Sequence, residues 1–341
     1  MAQIHLPAAA RIAVDRLLEA SVGLSFARTG YQGRSRLEQW RPLASYDLTS
    51  RSVLLTGGTS GIGLAAAKTL VGIGATVVIV GRSTKRNQIA VDSITRDSEG
   101  PGSGTAAFLT ADMSELEDVR NLAAQVRVAY PEIDTLIHNA GALPSTPSFT
   151  SEGIESTVAA QVVGPHLLTR LLVDQLGQHR PGRVLTMSSG GMYTTPLNVH
   201  ALQNSVRGAL PQPFRGAAQY ALVKRAQVTL NQMWADHARS SHSPAVVFHA
   251  LHPGWVDTPG LTDALPTFFR LIRPIARTPA EGADSLVWLC ADAAALESNG
   301  GFWHDRQPRS IHRLPATRKS DTDQTRERLW QWLEDLVNTS R

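Results

Sequence analysis

Residues 51–70 read RSVLLTGGTSGIGLAAAKTL, and this stretch decides the fold. Val53-Leu54-Leu55 is a short apolar run typical of a buried strand. Residues 56–63 predict a sharp glycine turn, and residues 64–70 carry alanine and leucine at helical spacing. Such a unit can cradle phosphate, because glycine lets the backbone approach a pyrophosphate and the free N–H groups of the new helix point at it. The spacing T-G-x-x-x-G-x-G differs from the commoner G-x-G-x-x-G, so the motif alone also fits an ordinary α/β turn.

The composition is that of a compact enzyme. The 341 residues are 42% apolar and 18% charged, which is ample for one large core with appendages. The net charge of +4 suits an anionic ligand, but no basic run indicates binding of nucleic acid. Cys290, the single cysteine, lies in an apolar run, so we expect it to pack in the core and expect no disulfide or metal site. No stretch has the length of a membrane span and the first residues lack a secretory signal, so we expect a cytoplasmic protein.

Apolar runs alternate with helical patterns along the chain. The runs that predict strands are residues 53–55, 75–80, 106–109, 133–138, 183–187 and 245–251. Between them we expect helices over residues 64–70, 84–99, 114–130, 152–178 and 217–238. Ser114 and Glu117 have capping-box spacing, and Gly164-Pro165 predicts a bend. The alternation indicates a Rossmann-type, doubly wound parallel sheet in three α/β/α layers, with ligands outside the carboxyl ends of the strands.

The chain is expected to have three parts, namely an N-terminal helical extension (1–50), a dinucleotide-binding catalytic domain (51–312) and a C-terminal helical tail (313–341). Residues 8–24 predict an amphipathic helix, followed by an irregular segment over 26–46. The extension either packs on the domain or acts as an interfacial membrane helix or lid, and its few lysines favour packing. Residues 258–278 predict a mobile or substrate-facing flap, and residues 280–293 predict a helix. We then expect a last strand over residues 301–303, a loop over 311–322 and a terminal helix over 323–338.

Tyr220 and Lys224 stand four residues apart on a predicted helix and therefore project from one face. Because an ammonium beside a phenol favours the phenolate, we expect Lys224 to lower the pKa of Tyr220 and make it a usable general acid or base. Ser189 ends the fifth predicted strand and can donate a hydrogen bond to a carbonyl oxygen. On its own, the tyrosine–lysine pair also fits a solvated helix face.

Several elements taken together resemble the short-chain dehydrogenase/reductase family, in the family's order and at strand ends, over residues 52–303. The matching positions are Thr56-Gly57, Gly61, Gly63, Asp112, Asn139-Ala140-Gly141, Ser189, Tyr220, Lys224 and Pro253-Gly254. A narrower group, the dehydrogenase/reductase member 12-like proteins, also carries an N-terminal extension. The stretches that resemble this group are residues 188–192, 252–259 and 304–308.

The resemblance implies an oxidoreductase that interconverts a carbonyl and an alcohol by hydride transfer with a nicotinamide cofactor. Tyr220 would exchange a proton with the substrate oxygen, Ser189 would position that oxygen, and Lys224 would tune Tyr220 and hold the nicotinamide ribose. Asp112 would contact the adenine and Thr258 the carboxamide end of the nicotinamide. The remaining implied cofactor-binding residues are Thr56, Gly57, Thr59, Ser60, Gly61, Ile62, Gly63, Met113, Asn139, Ala140, Gly141, Pro253, Gly254 and Val256.

Two features depart from the family pattern. Gln161 stands where the family often has an asparagine that supports the lysine through water, so the proton relay would be shifted or weaker. The connection between Ser189 and Tyr220, residues 190–219, is longer than in many relatives and is expected to help form the substrate entrance.

Cofactor choice follows from the end of the second strand. An acidic residue there would accept from a ribose 2′-hydroxyl and repel a 2′-phosphate. This chain has Arg82 instead, followed by Lys85 and Arg86, and a guanidinium can pair with phosphate and stack on adenine. The pattern therefore favours NADP(H) over NAD(H), although Arg82 also fits a solvated loop.

The leading hypothesis is an NADP(H)-dependent oxidoreductase acting on a small carbonyl or alcohol. The alternative is an NADP(H)-binding sensor or scaffold without turnover, and an epimerase or dehydratase of related fold is a third interpretation. Met192, Trp255, Phe268 and Phe269 fit an apolar substrate pocket and ordinary packing equally well. The identity of the substrate and the oligomeric state, a homo-oligomer included, stay open.

Overall fold

One eight-stranded sheet organises the described part of the chain. The computed structural model describes residues 7–98, 100–206, 208–240, 246–264 and 266–339. The strands are β1 (Ser52–Thr56), β2 (Thr76–Gly81), β3 (Thr105–Thr110), β4 (Thr135–His138), β5 (Gly182–Met187), β6 (Val246–Leu251), β7 (Gly301–His304) and β8 (Gln307–Pro308). They lie in the order β3-β2-β1-β4-β5-β6-β7-β8, and β8 alone is antiparallel to its neighbour.

The strand order reverses beside β1. Val53 lies opposite Val77 of β2 on one side and opposite Thr135 of β4 on the other. The chain moves outward through β2 and β3 and then returns to β4, which leaves a crevice at the carboxyl ends of β1 and β4. The doubly wound parallel sheet predicted from the sequence is confirmed.

Helices cover both faces of this sheet. They are α1 (Ala8–Ala20), α2 (Val22–Phe26), α3 (Arg28–Leu37), α4 (Gly61–Gly72), α5 (Thr84–Asp97), α6 (Leu116–Ala129), α7 (Ser156–Val158), α8 (Gly164–Leu172), α9 (Val199–Gln203), α10 (Gly216–Ser240), α11 (Pro259–Ala264), α12 (Pro266–Ile272), α13 (Pro279–Ala291), α14 (Pro315–Ser320) and α15 (Asp323–Thr339). Leu54 faces the core built with α6, α8, α10 and α15, whereas Val53 and Leu55 face the core built with α4, α5 and α13. The result is the three-layer α/β/α architecture expected.

Two helix starts differ from expectation. Ser114 donates its hydroxyl to Asp112 (2.7 Å), so the predicted capping box does not form, and α6 begins at Leu116 after Glu115. The helix predicted over residues 152–178 is shorter. It starts with α7, where the Glu155 side chain accepts from backbone N–H groups, passes through a π-helical turn (Ala159–Val163) and ends with α8. The predicted bend near Gly164 corresponds to this π-turn.

Two segments expected to be irregular or loop contain helices, namely α3 in residues 26–46 and α14 in residues 311–322, while the predicted flap over residues 258–278 contains α11 and α12. The predictions for residues 26–46 and 311–322 were wrong because distant contacts stabilise these segments: Arg34 of α3 pairs with Asp305, and Ser320 of α14 accepts from the Leu197 N–H. The terminal helix, α15, is confirmed.

Cys290, on α13, packs in the protein core as expected, and burial raises the pKa of its thiol to about 12. Within the described ranges, every helix is too short or too polar to cross a membrane.

Candidate active site

The glycine turn, residues 56–63, joins β1 to α4 at the crevice. Gly57 and Gly61 have φ of 73° and 53°, a backbone region that favours glycine. A Cβ on Gly63 would lie 2.2 Å from the Gly57 carbonyl oxygen, so this position also requires glycine. Ser60, the N-cap of α4, makes no side-chain capping bond, which leaves the first N–H groups of the helix available. Free N–H donors beside glycines, whose backbone a ligand can approach closely, fit a pyrophosphate.

Thr56 and Asn139 fasten the ends of β1 and β4 to each other. The Thr56 hydroxyl donates to the Ile137 carbonyl (3.1 Å) and accepts from the backbone N–H groups of Asn139 and Ala140 (both 3.1 Å). The Asn139 amide donates to the carbonyls of Thr56 (3.2 Å) and Gly57 (3.0 Å). These polar groups, implied by the resemblance to line the cofactor, therefore hold the glycine turn in place.

Arg82, Asp112 and Met113 follow β2 and β3 at the same edge of the sheet. The Arg82 side chain is 77% exposed, and its guanidinium lies 4.0 Å from the Asp112 carboxylate. Asp112 also accepts from the Ser114 N–H (2.9 Å) and hydroxyl (2.7 Å), while Met113 is buried. The exposed guanidinium has the freedom to meet an anionic ligand.

Ser189, Tyr220 and Lys224 converge at the carboxyl end of β5. The Ser189 side chain lies beside the Tyr220 phenol, and Ser189 Oγ accepts from the Gly191 N–H at 3.3 Å. Lys224 Nζ lies 5.1 Å from the centroid of the Tyr220 ring and donates to the Met187 carbonyl at 2.9 Å. Three groups separated by up to 35 positions in sequence thus form one cluster, with Lys224 almost fully buried.

The pKa values in this cluster differ from expectation. Burial raises the pKa of Tyr220 to about 12, and the neighbouring Ser189 side chain opposes this effect. Burial lowers the pKa of Lys224 to about 7. The expected lowering of the Tyr220 pKa by Lys224 is wrong for this structure, because the ammonium is directed at the Met187 carbonyl and burial dominates.

Gln161 lies in the π-helical turn and supports the loop after β4. Its amide donates to the Ala142 carbonyl at 2.8 Å, and its backbone carbonyl accepts from Gln227 at 2.8 Å. A Cβ on Gly141 would lie 2.7 Å from Gln161 Oε1, so Gly141 makes room for this side chain. The bonds of Gln161 thus tie it to the Asn139–Ala142 loop.

The segment after β6 closes the other side of the crevice. Gly254 has φ of 81°, and the Arg277 guanidinium donates to the Pro253 carbonyl at 3.2 Å. Val256 is buried, and Thr258 Cγ2 lies 3.1 Å from the position of a Cβ on Gly61. Thr258 therefore stands over the start of α4, where Thr59, Ser60 and Ile62 also lie.

The four apolar candidates for a substrate pocket do not form one group. Met192 and Phe269 are buried in the protein, whereas Phe268 is 37% exposed and packs on Trp255, with ring centroids 5.7 Å apart. For Met192 and Phe269 the structure shows packing.

Sequence reasoning favoured packing of the N-terminal extension on the domain but did not indicate its contacts at the site. Phe26 packs against Gly190, directly after Ser189, and Arg34 and Arg277 bury their guanidinium groups against Asp305. Residues so far apart in sequence leave no spacing signal. The left-handed backbone at Asp305 is likewise invisible in the sequence.

The sheet and its glycine turn define a Rossmann-type fold of the kind that binds dinucleotides. A family profile described as short chain dehydrogenase matches residues 51–199. The human protein named dehydrogenase/reductase SDR family member 12 is 35% identical over 293 residues, which are 86% of this chain and 88% of that protein. The chain therefore belongs to the short-chain dehydrogenase/reductase family, whose members typically act on CH–OH groups with NAD or NADP. The narrower resemblance, to member 12-like proteins, is also confirmed.

Solved structures share the fold. A short chain dehydrogenase/reductase family protein is 26% identical, with a TM-score of 0.57 over 75% of this chain and 96% of its own. A short chain dehydrogenase from Burkholderia cenocepacia, solved in complex with NADP, is 24% identical, with a TM-score of 0.58 over 75% of this chain and 96% of its own.

Proposed function

We propose that this enzyme is an NADP(H)-dependent oxidoreductase that interconverts a carbonyl and an alcohol, with Tyr220 as the general acid and base. The observation that carries the proposal is the convergence of Ser189, the Tyr220 phenol and buried Lys224 at the sheet edge that holds the glycine turn. Membership of the short-chain dehydrogenase/reductase family supports the reaction class.

The chain's own residues manage the proton and the orientation of the substrate. In carbonyl reduction, the Tyr220 hydroxyl donates its proton to the substrate oxygen, and the Ser189 hydroxyl donates a hydrogen bond to the same oxygen. With its pKa near 12, the phenol is protonated at neutral pH, which is the form that reduction requires. The nicotinamide cofactor, when bound, supplies or accepts the hydride.

The residues that would hold the cofactor surround the crevice. The N–H groups of residues 61–63 would bind the pyrophosphate, and Lys224 with Tyr220 would bind the nicotinamide ribose. Asp112 and Met113 would border the adenine. Pro253, Gly254, Val256 and Thr258 would border the nicotinamide, and Asn139, Ala140 and Gly141 would line the space between.

The preference for NADP(H) rests on Arg82. Its side chain is 77% exposed at the end of β2, where a cation can pair with a 2′-phosphate. The NADP bound by the Burkholderia relative agrees with this proposal.

The test is NADPH consumption with a panel of aldehydes and ketones, comparing the native protein with Tyr220→Phe. We expect native turnover and a loss of at least about a hundredfold in Tyr220→Phe, because the proton donor is gone. Tyr130→Phe is the matched control, since Tyr130 follows α6 at the opposite edge of the sheet. Equal rates in the native protein and Tyr220→Phe would refute the role of Tyr220. Calorimetric NADPH binding without turnover of any substrate would instead support a sensor or scaffold.

A further inference from the structure

The N-terminal extension reaches the turn that carries Ser189. Phe26, at the end of α2, is 4% exposed, and its ring meets those of His252, His304 and Trp255 edge-on, with centroids 4.2, 5.4 and 6.0 Å away. A Cβ added to Gly190 would lie 2.4 Å from Phe26 Cε2. The Phe26 ring thus occupies the space directly against the backbone that follows Ser189.

The backbone around Phe26 is fastened to the loop after β6. The Phe26 carbonyl accepts from the Trp255 N–H at 2.8 Å and from Arg277 Nε at 3.1 Å. Arg277 Nη2 donates to the Ser25 carbonyl at 2.8 Å. One segment of the extension therefore contacts both the Ser189 turn and the Pro253-Gly254 segment.

Buried charges hold the extension in this place. Asp305, 1% exposed, accepts from Arg277 Nη1 (2.5 Å) and Nη2 (2.9 Å) and from Arg34 Nη1 (2.7 Å). Arg34 also pairs with Asp15 (2.7 Å) and Glu19 (3.0 Å) of α1. We call Arg34, Arg277 and Asp305 the arginine clamp. Because each charge has a partner, the clamp can hold α1–α3 in one orientation.

We propose that Phe26 is a positioning residue for the proposed reaction and that the clamped extension is part of the active-site architecture. The ring prevents the Ser189–Gly190 backbone from moving away from Tyr220, and so keeps the Ser189 hydroxyl within hydrogen-bond reach of the phenol and of a substrate oxygen. This inference rests on the proposed function for its kinetic consequences, but its structural consequence exists without cofactor or substrate.

A role in packing alone predicts a different result. Loss of an ordinary buried ring lowers stability and leaves the turnover of the folded enzyme unchanged. A positioning ring changes kcat, because a small displacement of a reacting group has a large effect on rate. The KM for NADPH does not discriminate between the two roles, because Phe26 also contacts Trp255, next to the Pro253-Gly254 segment proposed to border the nicotinamide.

The first experiment is a double-mutant cycle between Phe26→Ala and Gly190→Ala in the full chain. Gly190→Ala should lower kcat at least about thirtyfold, because its methyl group meets the ring, and Phe26→Ala should lower it about tenfold. In the Phe26→Ala background, the added methyl enters vacated space, so Gly190→Ala should cost little more. Equal costs of Gly190→Ala in both backgrounds, or native kcat in Phe26→Ala, would overturn the proposal.

The second experiment is hydrogen exchange of the cofactor-free protein, followed by mass spectrometry. Phe26→Leu should speed exchange of the backbone amides in residues 188–194 about tenfold, because their opening is no longer blocked. Phe248→Leu removes a ring that is equally buried, in a core cluster separate from that of Phe26, and should leave this peptide unchanged. Unchanged exchange in Phe26→Leu refutes the inference even if the enzyme proves inactive. If Phe26→Ala keeps the native kcat while Tyr220→Phe is inactive, the inference about Phe26 is refuted and the proposed function stands.

Discussion

The glycine turn and the arginine clamp lie at the same edge of the sheet and are built in opposite ways. The glycine turn consists of sequence neighbours, leaves backbone N–H groups free and contains no charged side chain. The clamp joins Arg34, Arg277 and Asp305 from three distant segments and pairs every charge. A site for an exchangeable anion needs unsatisfied donors, whereas a permanent buried contact needs all its groups satisfied. The comparison predicts that changes in the turn affect ligand affinity and that changes in the clamp affect stability.

The largest expected effect is that of Asp305→Asn. Asparagine suits the left-handed backbone at this position (φ 53°) and is nearly isosteric, so the substitution removes the charge with little else. The buried Arg277 guanidinium loses its carboxylate partner and Arg34 keeps Asp15 and Glu19, so we expect the free energy of unfolding to fall by about 3–5 kcal/mol in urea titrations. Asp97→Asn, which breaks an exposed pair with Lys68, should leave the free energy of unfolding nearly unchanged. If both variants lose the same stability, the clamp is not a buried anchor.

Gly63→Ala should affect the affinity for NADPH more than the stability of the protein. Its methyl group would lie 2.2 Å from the Gly57 carbonyl and 2.6 Å from the Asn139 amide, so the turn must shift. We expect NADPH affinity, measured by calorimetry, to fall about a hundredfold, or about 2.7 kcal/mol, with a smaller change in stability. Gly72→Ala, in open space at the end of the same helix, should leave the affinity at its native value. A loss of stability larger than the loss of affinity in Gly63→Ala would contradict the comparison.

Lys224 belongs to the proposed cofactor site and also affects stability, because it is buried without a carboxylate partner in its described contacts. Its pKa is about 7 in the folded protein, below its ordinary value in the unfolded chain. Between these values the unfolded state binds more protons, so stability should rise with pH. The gain for this residue is about 2 kcal/mol from pH 7 to pH 9. Urea titrations of the cofactor-free protein should show this rise, and Lys224→Met should show a correspondingly shallower one. Identical slopes would mean that Lys224 is charged and solvated.

Arg82→Ala should have the smallest effect and the most selective one. Loss of an exposed cation should weaken NADPH binding about tenfold while leaving NADH binding unchanged, because only the 2′-phosphate distinguishes the two cofactors. Calorimetry with both cofactors measures the difference, and Arg96→Ala, toward the far end of α5, serves as the control. Equal losses for NADPH and NADH would remove Arg82 as the selectivity residue.

Much of the fold was predictable because its determinants are local. Val53-Leu54-Leu55 and the runs like it are long enough to mark buried strands, and the spacing of Tyr220 and Lys224 places both on one helix face wherever that helix packs. The start of α6 was wrong because Asp112, two residues earlier, accepts the Ser114 hydroxyl. The direction of Gln161 could not be predicted, since it depends on a π-helical turn and on the Ala142 carbonyl.

The sequence by itself determined the alternating sheet, the glycine turn and the identity of the tyrosine, lysine and serine candidates, because periodicity and spacing over a few residues suffice for these. Only the tertiary structure decided that α3 is helical, that Phe26 lies against Gly190, and that the pKa of Tyr220 is raised rather than lowered. Each of these depends on burial by residues far away in the chain, and desolvation has no signature in local sequence.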